Sequence, residues 1–158
     1  MFEHGGSLSS IREFIDFLEG TLGGIDVSHD RKTVPSLSLG LCEILGDSLS
    51  ESERQAVEAA RTYLATGQSE EADKWIMDLG DRVGGWYPPD VTARSIAKER
   101  LIWCALVRVS EFDGLTVDFV LGVAEDAGIT FAQMLPVARA VFSPVLGISR
   151  WPGDPDPS

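Results

Sequence analysis

The chain has 158 residues, 44% of them hydrophobic, with 25 acidic against 13 basic side chains and a formal net charge of −12. That length and apolar content suit one domain with a continuous core, while the charge disfavours polyanionic partners such as nucleic acid and anionic membranes. Composition also leaves little for metal or nucleophile chemistry, since the two histidines, His4 and His29, and the two cysteines, Cys42 and Cys104, sit in no ligand-type spacing.

The opening Met1-Phe2-Glu3-His4-Gly5-Gly6 has no basic start followed by an apolar run. No later stretch reaches the roughly 18 uncharged apolar residues of a membrane span, so a soluble, cytoplasmic protein is expected. Ile11, Phe14, Ile15, Leu18 and Leu22 then follow the i, i+3, i+4, i+7 rule of an amphipathic helix, with Arg12, Glu13, Asp16 and Glu19 on the other face. Gly23-Gly24 stops it. The polar, aperiodic run from Ile25 to Pro35 reads as a loop leading to a short helix from about Ser36 to Leu45.

Ser50 and Glu53 have the spacing of a capping box, which places a helix start there. Ala56, Val57, Ala60, Tyr63 and Leu64 form its apolar face, Arg54 and Glu58 are spaced to pair at i, i+4, and Gly67 ends it. After Ser69 the stripe Ala72, Trp75, Ile76, Leu79, Val83 predicts another helix, closed by Gly84-Gly85. Trp86-Tyr87-Pro88-Pro89 is a stiff turn, because proline restricts both itself and its predecessor.

A helix over about residues 90–112 follows, whose middle, Leu101 to Val107, holds seven consecutive uncharged apolar residues. That is too many for one face and too few for a bilayer, so this is read as the buried central helix of a bundle. Thr116 is placed to cap a further helix with Phe119, Val120, Val123, Ala124 and Ala127 inward and Gly128 at its end. Thr130 and Gln133 repeat the capping box, and the last helix runs through Met134, Leu135, Ala138, Val141 and Phe142, with Pro136 expected to bend or delay it. The expected architecture is all-α: one bundle of six or seven helices over residues 1–148, followed by a Pro-rich, flexible tail over 149–158 in which Trp151 is positioned to pack back onto the bundle.

Within 117–142, Ala124 and Gly128 stand four apart with Val120, Met134 and Val137 at core positions. The segment resembles the helix-turn-helix pattern of many transcription regulators, and the resemblance implies a DNA-reading helix presenting Thr130, Gln133 and Arg139. Two observations weigh against it: Pro136 falls inside that helix, and residues 111–158 carry seven acids against two bases. An ordinary αα-corner accounts for the same pattern. Asp26, Ser28 and Asp30 alternate as in a calcium loop, but Arg31 stands where glycine is required and Leu37 where a bidentate glutamate is required. His4 and His29 are the only histidine bases; Cys42 or a nearby serine could approach His29, and nothing in the spacing calls for it. The sequence thus assigns no catalytic residue, metal or cofactor.

The remaining features concern contact with another protein. Charge is uneven: residues 1–81 hold sixteen acids and six bases, whereas 82–110 hold two and five. Trp86 and Tyr87, flanked by Arg82 and Arg94, have the composition of a binding hot spot, unless Trp86 only continues the Leu79 and Val83 stripe into the core. Glu70, Glu71, Asp73 and Asp78 belong to an acidic face suited to a basic partner. In size, acidity and lack of catalytic motifs the chain resembles, in general character, bacterial immunity proteins, antitoxins and phage-encoded inhibitors. The expected function is an acidic protein-binding module that occludes a basic surface, such as that of a toxin or nuclease; the alternative is a transcription regulator using residues 117–142.

Overall fold

The computed structural model describes residues 8–22, 33–83, 93–106 and 117–154. Among these residues the chain forms seven α-helices and no strand: α1 (Ile11–Leu22), α2 (Thr33–Leu45), α3 (Glu51–Thr66), α4 (Glu70–Val83), α5 (Ala93–Leu106), α6 (Val117–Asp126) and α7 (Phe131–Leu146), with a 3-10 turn at Gly46–Ser48 after α2.

Local chemistry explains the helix ends. At α3 the Ser50 hydroxyl accepts from the Glu53 amide at 3.1 Å while the Ser50 amide donates to Glu53 Oε1 at 2.7 Å, so two otherwise orphaned donors are satisfied reciprocally. Thr130 and Gln133 do the same for α7, at 3.2 and 2.9 Å. Ser10 starts α1 by accepting from the Glu13 amide. The α6 C-terminus closes as a Schellman turn: the Gly128 amide donates to the Glu125 carbonyl and the Ile129 amide to that of Ala124, both at 3.0 Å. Gly128 has φ of +98°, which only glycine adopts without strain.

The core is shared by all seven helices. α5 packs against α2, α3, α4 and α6, and of its central apolar run Leu101, Ile102, Cys104, Ala105 and Leu106 are buried while Trp103 is half-buried. This is the expected central helix over its described part; residues 84–92 and 107–116 lie outside the described residues. A second helix is equally enclosed. α2 touches α5, α7, α3 and α6 and buries Val34, Leu37, Ser38, Leu41 and Cys42, because it carries no charge before Glu43 and so has no face that must stay wet. It begins at Thr33, three residues before the expected start, with Pro35 tolerated in the first turn where amides have no helical acceptor.

Three expectations are corrected. Phe119 was placed inward on α6 but is 37% exposed, its share of the core being taken by Val117 and Leu121. Pro136 neither delays nor ends α7, which contains Pro144 as well. Both prolines, and the residues four before them, Ala132 and Ala140, are exposed, so the carbonyls released by the missing N–H groups lie on the solvent side where water can bond them. Glu58 pairs with Arg61, which also reaches Glu43 Oε1 at 3.0 Å, in place of the expected Arg54.

Packing continues past residue 148. Trp151 is 5% exposed and stacks on Phe14 with ring centroids 5.8 Å apart and planes 12° apart, with Phe17 beside it at 5.3 Å. Its indole Nε1 donates to Ser143 Oγ at 2.9 Å, which meets the hydrogen-bonding need of a buried tryptophan. Asp154 then closes the turn, one carboxylate oxygen accepting from the Trp151 amide at 2.8 Å and the other from Arg139 at 3.0 Å. Residues 155–158 lie outside the described residues.

Candidate functional site

The acidic half of the molecule is built on α3 and α4, which pack against each other through a three-residue link. Their buried faces, Ala56, Val57, Ala59 and Ala60 on α3 and Ala72 and Leu79 on α4, are mostly alanine. On the outer side the two helices border a furrow. That furrow is an open recess of about 610 Å³, lined by Glu51, Arg54, Gln55, Glu58, Ala59 and Thr62 from α3 and Glu71 and Trp75 from α4.

Trp75 was expected to face inward with Ala72, Ile76 and Leu79. It is half-buried instead, with its remaining surface on the furrow. The lining thus brings the Trp75 indole and Ala59 together with Glu51 and Glu58 of α3 and Glu71 of α4, of which Glu58 is ion-paired with Arg61 and Glu71 with Lys74. Arg54 is the one cation in the lining. Arg54 and Glu58 also line an adjoining recess of about 340 Å³ with Cys42, Glu43, Asp47 and Arg61.

The expected acidic residues of α4 are placed as follows. Glu70, Glu71 and Asp73 occupy its first turn, where carboxylates complement the helix dipole, and Glu70, Glu71, Asp73 and Asp78 are all exposed. Glu71 enters the furrow, and Lys74 Nζ approaches it at 3.2 Å; both side chains are largely in water, so this pair leaves the rim accessible. Trp86 and Tyr87 lie outside the described residues, as does the Arg82 side chain. Arg94 starts α5 with its guanidinium over the α6–α7 turn, so close to Gly128 that a Cβ there would come within 3.2 Å of its Cζ and Nε. Arg94 thus serves a different surface from the α3–α4 furrow.

The helix-turn-helix segment is present as α6, a tight turn and α7, but the two helices diverge: α6 packs chiefly on α5, α1 and α2, and α7 on α2 and α1. Thr130 and Gln133 spend their side chains on the α7 cap. Arg139 is bound to Asp154, with both side chains about 30% exposed or less. Comparison with protein-family models, with characterised proteins and with solved structures finds no match.

Cys42 and Cys104 are free thiols buried on α2 and α5. Burial pushes the Cys104 thiol up to about 12, partly opposed by Arg100, and burial likewise raises Cys42, with smaller contributions from Cys104, Glu43 and Glu53. Such thiols stay protonated and are poor nucleophiles. His29 and the Asp26–Asp30 segment lie outside the described residues. Among the described residues no group of three or more His, Cys, Asp and Glu side chains converges as metal ligands would, and no helix is long and apolar enough to cross a membrane.

Arg54, Gln55, Ala59, Thr62 and Trp75 are the lining residues that sequence reasoning missed. The available signal was the face of α3 at 51, 54, 55, 58, 59 and 62, whose i, i+3, i+4, i+7 spacing puts these residues on one side of the helix.

Proposed function

We propose that the chain is an acidic protein-binding module, a stoichiometric inhibitor or regulator that covers a basic surface of another protein through the α3–α4 furrow. The observation that carries this reading is the furrow itself, in which the half-buried Trp75 shares a lining with Glu51, Glu58 and Glu71. Tryptophan in a partly enclosed apolar recess is a common source of binding energy, and the surrounding charge speeds encounter and selects partners. Burying Trp75 would supply the affinity, and Glu51, with Glu58 and Glu71 exchanging Arg61 and Lys74 for the partner's bases, the choice of a basic partner. A DNA-binding role for residues 117–142 has less support, because Gln133 and Arg139 are already engaged within the protein.

Affinity capture from the native host tests the reading when wild type is run beside Glu51→Lys/Glu71→Lys. A basic protein is expected on the wild-type chain at low ionic strength and should be lost from the variant. Equal retention by both chains, or recovery of acidic proteins alone, refutes the assignment of this surface.

A further inference from the structure

The two ends of the described chain meet in an aromatic cluster on helices other than α3 and α4. Phe14 of α1 is fully buried and meets three rings, Phe131 and Phe142 of α7 with centroids 6.5 and 5.8 Å away and Trp151 at 5.8 Å, while Phe17 of α1 meets Trp151 as well. We infer that residues 149–154 are a latch on α1: this strap and the N-terminal helix open and close as one unit while α2 to α7 stay folded.

The packing sets α1 apart from the other helices. It lies chiefly on α6 and α7, whereas α2 and α5 make their main contacts with each other and with α3, α4, α6 and α7, so the network that joins α2 to α7 closes without α1. Phe14 and Leu18 are its buried side chains, with Ile11, Ile15 and Phe17 partly buried, and its Ser10 cap and Arg12–Asp16 pair are internal to it. Apolar contact therefore fastens α1, and the strap supplies the ring stacked on its fully buried aromatic. The strap is in turn held to α7 by polar bonds, from Trp151 Nε1 to Ser143 Oγ and from Arg139 to Asp154. Lifting the strap alone strips Phe14 and Phe17 of Trp151, and lifting α1 alone bares the Trp151 ring to water, so either motion by itself exposes apolar surface that the other element still needs covered. Elements that share their cover in this way open as a cooperative unit below the level of global unfolding. Opening uncovers Phe142 and the buried part of Phe131 on α7.

Residue-resolved amide hydrogen exchange on the intact chain at low urea tests the latch. The Trp151 amide donates to Asp154 Oδ2 and the Asp154 amide to the Trp151 carbonyl, so both report on the strap. In the wild type these two amides and those of α1 from Phe14 onward should share one opening constant, about tenfold or more larger than that of the buried α5 amides and less dependent on urea. Leu18→Val, in α1 and outside the aromatic cluster, should speed the Trp151 and Asp154 amides by the same factor as those of α1, about fivefold. Asp154→Ala, which removes the acceptor of both Arg139 and the Trp151 amide, should speed the α1 amides about fivefold or more. Ile102→Val should speed the α5 amides about fivefold but leave α1 and the strap unchanged, because the opening keeps the contacts of α5. Strap amides that ignore Leu18→Val mean that the two elements open separately. Amides of α1 and the strap that respond to Ile102→Val as fully as α5 mean that both are released only with the whole bundle. Either result overturns the latch.

Discussion

Replacing Gly40 with alanine probes the closest approach of α2 and α7. A Cβ at this position would stand 2.6 Å from Val137 Cγ1 and 3.9 Å from Val137 Cβ, whereas carbon atoms in contact settle at about 3.5–4.0 Å. The methyl cannot swing aside cheaply, since a β-branched side chain in a helix has one strongly preferred rotamer. The helices must therefore part, and overpacking of this kind costs about 1–3 kcal/mol. Alanine returns up to about 1 kcal/mol through its better helix propensity. The expected net loss is about 1–2 kcal/mol, a fall in Tm of roughly 3 to 6 °C for a chain of this size. Val137→Ala removes the obstructing methyl, so in the double variant the two changes should couple by about 1 kcal/mol or more, beyond the ~0.5 kcal/mol scatter of independent sites. Urea and thermal unfolding followed at 222 nm measure all four proteins. A Gly40→Ala chain as stable as wild type, or additive effects in the double variant, would refute the close crossing.

Trp151→Ala should cost about 3–5 kcal/mol, the range for emptying a buried aromatic site, and Trp151→Phe clearly less, because stacking on Phe14 persists while the bond to Ser143 is lost; equal unfolding midpoints for the two would contradict the packed tail. Cys42 and Cys104 should resist a thiol reagent in the folded protein and react on addition of denaturant. Their raised folded pKa values also set a sign: below the ordinary thiol range neither state ionises and stability is unaffected. As pH rises above it the unfolded chain loses protons that the folded chain keeps, and stability falls by about 1.4 kcal/mol per pH unit for each thiol. Urea midpoints between about pH 8 and pH 10 should show this slope in wild type and lack it in Cys42→Ala/Cys104→Ala; the same slope in both would count against burial as the cause. Ser50→Ala should lower stability by about 1 kcal/mol through loss of the α3 cap, read as a shift in urea midpoint without a change in m-value.

What the order of residues determined by itself is local. Ser50 with Glu53, Thr130 with Gln133, and the glycines at 67 and 128 act on backbone groups within a few residues, so the ends of α3, α6 and α7 were legible without a fold. The apolar run at 101–107 likewise announced a buried helix, because no face of it tolerates water. Tertiary structure decided which faces meet. A helical period marks an apolar stripe but does not name the neighbour that covers it: Phe119 lost its place inside to Val117 and Leu121, Trp75 was left half-buried, and Arg139 met Asp154 fifteen residues along the chain. The furrow belongs to this second class. Its carboxylates were visible as charge, but their meeting with the Trp75 indole exists only once α3 and α4 lie side by side.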